Sequence, residues 1–254
     1  MTPLACNIEA RRRGIKTVYL LVNGNHSNFS FSHYDLVVTD SQATADLYAK
    51  RDHINVATTG IFINHDRVIS PEKDPKYVTF VNPVGAKGLA IFAKLAKVCQ
   101  TQMPDLRFLV INSRGNFAHT VTMLHDKDNK DSHPFSANDF PNVDMTGNQK
   151  DMRAVFKVTK ALLAPSLWYE SWGRVTTEAV LNEIPVVCSN SGGLPEAMAG
   201  CGEVLETPEH CREDHWSIPT DEEIQPWIDA LKKVMETNYS EQFAKAKIQH
   251  SNER

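Results

Sequence analysis

The chain has 254 residues, 41% of them hydrophobic, with a net charge of -4 and five cysteines, Cys6, Cys99, Cys188, Cys201 and Cys211, in no CxxC spacing. That is enough apolar material for one large or two small domains, the charge gives no bulk pull towards nucleic acid, and an odd set of unclustered thiols excludes a disulfide framework in favour of reduced cysteines. With no run as long as a membrane span and no apolar leader behind Met1, the sequence reads as a cytoplasmic protein.

In chain order, residues 6–13 predict a helix stopped by Gly14, with Arg11, Arg12 and Arg13 as a favourable charge at its C-terminal end. The same three arginines allow peripheral contact with anionic lipid. Residues 16–22 predict a buried strand, 34–39 a second, Asp40-Ser41 the cap of a helix over 42–50, and 54–58 a short third strand. The proline-bearing, charged stretch from Gly60 to Lys76 reads as a linker. The sequons at Asn25, Asn28 and Asn238 have no secretory setting and are read as chance.

From Tyr77 strands and helices alternate, as in a doubly wound parallel sheet. One polar loop, 119–142, is longer than compact domains usually carry and is expected to be a mobile flap or insertion. The spacing of its His119, His125 and His133 matches no metal site, and no metal site is expected. At the end, Thr220 should cap an amphipathic helix whose stripe is Ile224, Trp227, Ile228, Leu231 and Val234. The division expected is therefore 1–60, a linker over 61–76, a main domain over 77–219, and helices over 220–254.

The chemistry concentrates at Trp168-Tyr169-Glu170-Ser171-Trp172-Gly173-Arg174-Val175-Thr176-Thr177-Glu178. An apolar strand closing on Pro165-Ser166 precedes it and a helix over 175–181 follows, so it occupies a strand-to-helix turn at the carboxyl edge of the sheet, where ligands of open α/β sheets bind. Amides near Gly173 at a helix N-terminus suit a phosphate, and a glycine admits close backbone approach. Two carboxylates beside an anion make sense only as acceptors for sugar hydroxyls. Glu178, a turn into the helix, suits a ribose diol, and Glu170, on the loop, suits a transferred sugar.

This stretch resembles the Glu-x7-Glu motif of retaining GT-B glycosyltransferases, the family of sucrose synthase, sucrose-phosphate synthase and many bacterial lipopolysaccharide and exopolysaccharide transferases. Residues 80–89 resemble that family's first strand and loop of the donor domain, with Lys87 before Gly88 at the diphosphate; 108–115 resemble the next strand and loop; 143–149, with Gly147 and Asn148, the strand and turn beside the base; and 189–196 the glycine turn after the motif helix. The resemblance implies a GT-B α/β fold and transfer of a sugar from a nucleoside diphosphate sugar, UDP-linked by family precedent, with retention and without a metal or other cofactor. Lys87 and Glu170 would be the catalytic groups, and Gly88, Ser171, Trp172, Gly173, Arg174, Glu178, Gly147 and Asn148 would bind the donor.

Several positions depart from the pattern. Asn82-Pro83 stands where many members have Gly-Arg, so Lys87 carries more of the phosphate charge, with Arg174 either assisting or merely exposed at the helix start. Trp172 reads equally as pocket wall or core, Glu196 as a cap of its own following helix or a loop orienter, and His26 as either the first-domain histidine that the resemblance places at the donor sugar or a loop histidine. Residues 1–60 resemble only part of a first Rossmann-like domain, and the glycine-rich loop expected there has no counterpart. The expectation is a fragment, a minimal protein, or one chain of a split enzyme completed by a partner. Against a transferase stand two further readings, a non-catalytic nucleotide-sugar-binding module and a GT-B epimerase or phosphorylase.

Overall fold

The computed structural model describes residues 3–24, 26 and 30–250. Two parallel sheets follow one another along the chain. The first unit contains α1 (Pro3–Arg12), β1 (Val18–Leu21), β2 (Leu36–Thr39), α2 (Gln42–Asp52) and the two-residue β3 (Ala57–Thr58), with strand order β1-β2-β3. Ser41 caps α2 through its hydroxyl, which accepts from Thr44 N, as its sequence predicts.

The second unit runs α3 (His65–Val68), β4 (Tyr77–Val81), α4 (Leu89–Gln102), β5 (Arg107–Ile111), α5 (Phe117–Thr120), β6 (Val143–Thr146), α6 (Arg153–Val158), β7 (Thr159–Ala164), α7 (Arg174–Leu181), β8 (Val186–Ser189), α8 (Leu194–Met198), β9 (Gly202–Leu205), α9 (Glu209–Glu213), α10 (Asp221–Glu236) and α11 (Ser240–Gln249). Its six strands are all parallel in the order β6-β5-β4-β7-β8-β9. That order reverses direction between β4 and β7, which makes the gap beyond their carboxyl ends the natural ligand crevice. Strands buried on both faces need continuous apolar runs, and Phe80, Phe108, Val110, Leu162, Leu163, Val186 and Val187 supply them. Phe92 of α4 stacks on Phe80 at 4.6 Å and meets Phe108 and Phe117 edge-on, each at 5.7 Å. The predicted stripe of α10 is wholly buried, and Thr220 and Glu223 form a reciprocal capping box at its start. All five cysteines are free thiols: Cys6 is exposed, while burial pushes Cys99 up to about 11 and Cys188, Cys201 and Cys211 up to about 12.

Three expectations are corrected. The strand read as buried over 16–22 spans only Val18–Leu21 and is half open: Leu21 and Tyr19 face α2, whereas Val18 and Leu20 are 58% and 60% exposed on the opposite face. An apolar run reports β structure but not whether a second layer covers it. The stretch 119–142 is pinned rather than a flap. Val121, Leu124 and Phe140 sit in the main core, and His125 N and O bond to Trp216 O and Ile218 N, both at 3.0 Å. The stretch read as a linker carries α3 and buries Ile63 and Val68 against Leu181, while the Asn182 side chain bridges Ser70 N and Val68 O. Of the sequons, Asn25 and Asn28 lie outside the described residues, and Asn238 Oδ1 accepts from Ser240 N at the start of α11.

Candidate functional site

The crevice between β4 and β7 is a cleft of about 370 Å³. On one side β4 ends at Val81, and Asn82 turns the chain in a left-handed conformation, φ 67°, while its Oδ1 accepts from Arg114 N at 3.1 Å. A single turn of tight helix over Gly85–Lys87 then projects Lys87. Gly88 follows at φ 82°, and a Cβ there would lie 2.0 Å from Pro165 O, so glycine is required for the two loops to meet. On the other side the loop after β7 carries Ser166, Glu170 and Gly173 into the cleft.

Residues 83 positions apart meet here. Lys87 Nζ forms an ion pair with Glu170 Oε1, which also accepts from Ser166 Oγ at 2.8 Å. Both side chains are more buried than exposed, so each offsets the other's desolvation. Gly173, at φ 108°, starts α7 at the cleft wall, where a Cβ would strike Leu194 Cδ2 at 2.4 Å. The first turn of α7 has no acidic residue, which leaves the positive end of its dipole uncompensated by its own sequence. Thr176 lines the same cleft with a buried hydroxyl that has no hydrogen-bond partner among the described residues.

The other expected donor residues are distributed around this centre. Glu178 is buried one turn along α7, and its Oε1 accepts from Arg174 Nε at 2.7 Å, with the two side chains 9% and 67% exposed. Arg174 lines the cleft; Glu178 does not. Ser171 faces the first unit: its hydroxyl donates to Asp40 Oδ2 at 3.4 Å, and its carbonyl accepts from Thr44 Oγ1. Burial pushes the Asp40 carboxyl above its ordinary range. Trp172 is buried away from the Lys87 cleft, its Nε1–H donating to Thr177 Oγ1 at 2.8 Å, and it lines a second cavity of about 410 Å³ with Asp40, Phe62, Glu196 and His250. Gly147 and Asn148 lie exposed just beyond β6, on the same sheet edge but outside the cleft lining. His26 is a loop histidine whose N–H donates to Tyr48 Oη.

Among the polar lining residues that sequence reading left unassigned are Ser113 and Arg114 after β5, Ser166 and Thr176. Arg114 adds an arginine to the cleft lining in a chain that lacks the one expected at position 83. An arginine just past the carboxyl end of a buried strand was the available signal. Glu196 also differs from its expected place. It caps no part of its own α8; its Oε2 and Oε1 accept from Gln42 N at 2.8 Å and Ala43 N at 2.7 Å, at the start of α2.

The model of the family described as glycosyl transferases group 1 matches residues 62–209, more than half the chain. The chain belongs to that family. No curated protein sequence matches it significantly. Solved structures share the fold of this group 1 glycosyl transferase at low identity. One is S. aureus TarM in complex with fondaparinux, alpha-GlcNAc-glycerol and UDP, at 15% identity and TM-score 0.62, covering 92% of this chain and 48% of that one. A second is Anabaena HepE with UDP-glucose, at 17% and 0.64, covering 98% and 72%. A third is the GtfA/B complex, at 11% and 0.67, covering 98% and 51%. The architecture is thus GT-B, and the chain spans about half the length of TarM and of the GtfA/B match. Among the described residues no helix is long and apolar enough to cross a membrane.

Proposed function

We propose that the cleft binds a nucleoside diphosphate sugar, UDP-linked, and that the protein transfers the sugar with retention at the anomeric carbon. The observation that carries this reading is the Lys87–Glu170–Ser166 cluster beside Gly173 at the start of α7, in a group 1 glycosyl transferase. A diphosphate would take over the Lys87 ammonium, with Arg114 and the N-terminal end of α7 as further positive partners. Glu170, released from Lys87, would accept from hydroxyls of the sugar. Arg174 and Glu178 would share the diphosphate and ribose between them once their mutual pair opens.

Charge grows on the departing diphosphate as the sugar becomes oxocarbenium-like, so these cations bind the transition state more strongly than the ground state. Glu170 then positions the sugar instead of attacking it, in a front-face substitution like that of the Glu-x7-Glu branch. Since Lys87, Arg114 and helix amides provide the phosphate contacts, no metal is needed for donor binding. The exposed face of β1 and β2 supports a further element of the proposal: acceptor binding and cleft closure draw on additional polypeptide, so this chain alone transfers weakly.

Calorimetric titration of UDP and a UDP-sugar in the presence of EDTA tests the site. Glu178→Ala should weaken UDP itself by about 1–3 kcal/mol, whereas Glu170→Ala should spare UDP and depress only the sugar donor. Equal losses on bare UDP, or binding that requires magnesium or manganese, would overturn the assignment of subsites.

A further inference from the structure

The two sheets are joined at the loop that carries Glu170, and the joint has a specific mechanical layout. The turn Gly192-Gly193 lies against that loop so closely that a Cβ on Gly192 would fall 2.0 Å from Glu170 O and one on Gly193 would fall 2.4 Å from Ser171 O; Gly193 N also donates to Glu170 O at 2.8 Å. Directly after the turn, Leu194 presses on Gly173 at the start of α7. Two residues later Glu196 leaves the second unit altogether and places both carboxylate oxygens on the first amides of α2. The first turn of α2 contains no acidic residue of its own, so the carboxylate that complements its dipole comes from 153 positions away. Tyr169 completes the joint from the same loop, its ring lying where a Cβ on Gly24 would come within 2.3 Å.

We infer that Glu196 is a positioning residue for the reaction, coupling occupation of the Lys87–Glu170 cleft to the placement of the first unit through the chain Glu170 loop, Gly192-Gly193 turn, Glu196 and α2. This inference rests on the reading of the cleft as a nucleotide-sugar site. Glu196 lies outside the cleft lining, and both of its carboxylate oxygens are committed to Gln42 N and Ala43 N. When a diphosphate separates Lys87 from Glu170, the loop 169–173 shifts against glycines that have no side chain to yield. The displacement therefore passes to α8, and Glu196 delivers it to α2 as a directional pull on two amides. A residue with only local structural duty would stabilise α2 equally with the cleft empty or filled.

Hydrogen exchange on the whole chain, with and without UDP, separates these cases. In the unaltered protein UDP should slow exchange at the cleft and also at residues 42–44 on α2. In Glu196→Ala the α2 amides should exchange about fivefold to tenfold faster without ligand, the effect of losing a helix cap, and the UDP-dependent change at 42–44 should vanish although UDP still binds within about threefold of its original Kd. Glu196→Gln, which keeps one acceptor oxygen, should be intermediate. Persistence of the UDP effect at 42–44 in Glu196→Ala, or its absence from the unaltered protein while UDP binds, overturns the inference. Should UDP fail to bind the unaltered protein, the donor-site reading falls instead. The ligand-free arm then decides the joint: exchange at 169–171 rises together with that at 42–44 in Glu196→Ala if the chain of contacts is mechanical, and stays unchanged if it is not.

Discussion

The two sheets of this protein are built to different standards of closure. The six-stranded sheet is covered on both faces, with an aromatic cluster around Phe92 on one side of its first strands and the α10 stripe sealed by Trp227. The three-stranded sheet has a core of four buried side chains, Leu21, Phe31, Val37 and Tyr48, and leaves Val18, Leu20 and Leu36 open on its other face. Parallel sheets normally bury both faces. The larger unit therefore holds the Lys87–Glu170 cleft with its own packing, whereas the smaller one takes its orientation from the joint at Tyr169, Ser171 and Glu196.

Trp227→Ala empties the seal of the larger sheet and should cost about 3–5 kcal/mol in denaturant unfolding, abolishing nucleotide binding as the sheet loosens. A loss below about 1 kcal/mol would mean that the larger sheet is not the self-sufficient unit described.

Tyr48→Phe is the matching change in the smaller sheet. It removes the hydroxyl that donates to Asn23 O at 2.7 Å and accepts from His26 N, and should cost about 1–2 kcal/mol. Amide exchange should accelerate in β1, β2 and α2 and stay unchanged in β4 and β7. Acceleration in both sheets would show that they fold as one cooperative unit.

The smallest effect belongs to Glu183, which ties the larger unit to its flanks. Paired with Lys247 at 2.5 Å and with Lys73, its carboxyl is pulled from 4.5 to about 2. A carboxyl whose folded pKa is depressed adds stability that is full above its unfolded value and disappears as pH falls through its folded one. The difference in stability between the unaltered protein and Glu183→Gln should accordingly be constant at neutral pH, shrink below about 4.5 and vanish near 2. Because these charges are partly solvated, the difference is small. A pH-independent difference would assign the effect to packing.

Much of this was legible in the sequence for identifiable reasons. The inner strands of the larger sheet are short, mainly apolar runs bounded by turn residues, and α10 announces itself by its cap and its stripe. Lys87 and Glu170 were each legible through the family resemblance, Lys87 from its place before Gly88 and Glu170 from the Glu-x7-Glu stretch, but their ion pair was not. What stayed hidden was anything decided by a distant partner. The cover over Val18 and Leu20 depends on a layer, not on the strand itself. The anchoring of 119–142 comes from single residues, Val121, Leu124 and Phe140, that share no period. Trp172 could be wall or core because an aromatic suits both, and in the structure it is buried, bonded to Thr177, and at the wall of the second cavity instead of the Lys87 cleft. Glu196 is the sharpest case, since a cap is sought within a few residues of its helix and this one serves a helix in the other sheet.

The distribution of thiols gives the molecule a property useful at the bench. Four cysteines are buried and hold their protons to about pH 11 or 12, whereas Cys6 stands exposed on α1, which is fastened to the smaller sheet by the Asn7 amide donating to His33 O. A thiol-directed probe should therefore attach once, and on the smaller unit. The natural sequence already carries a single-site handle for following the motion of one sheet relative to the other, and the four silent thiols become countable only when the larger core comes apart.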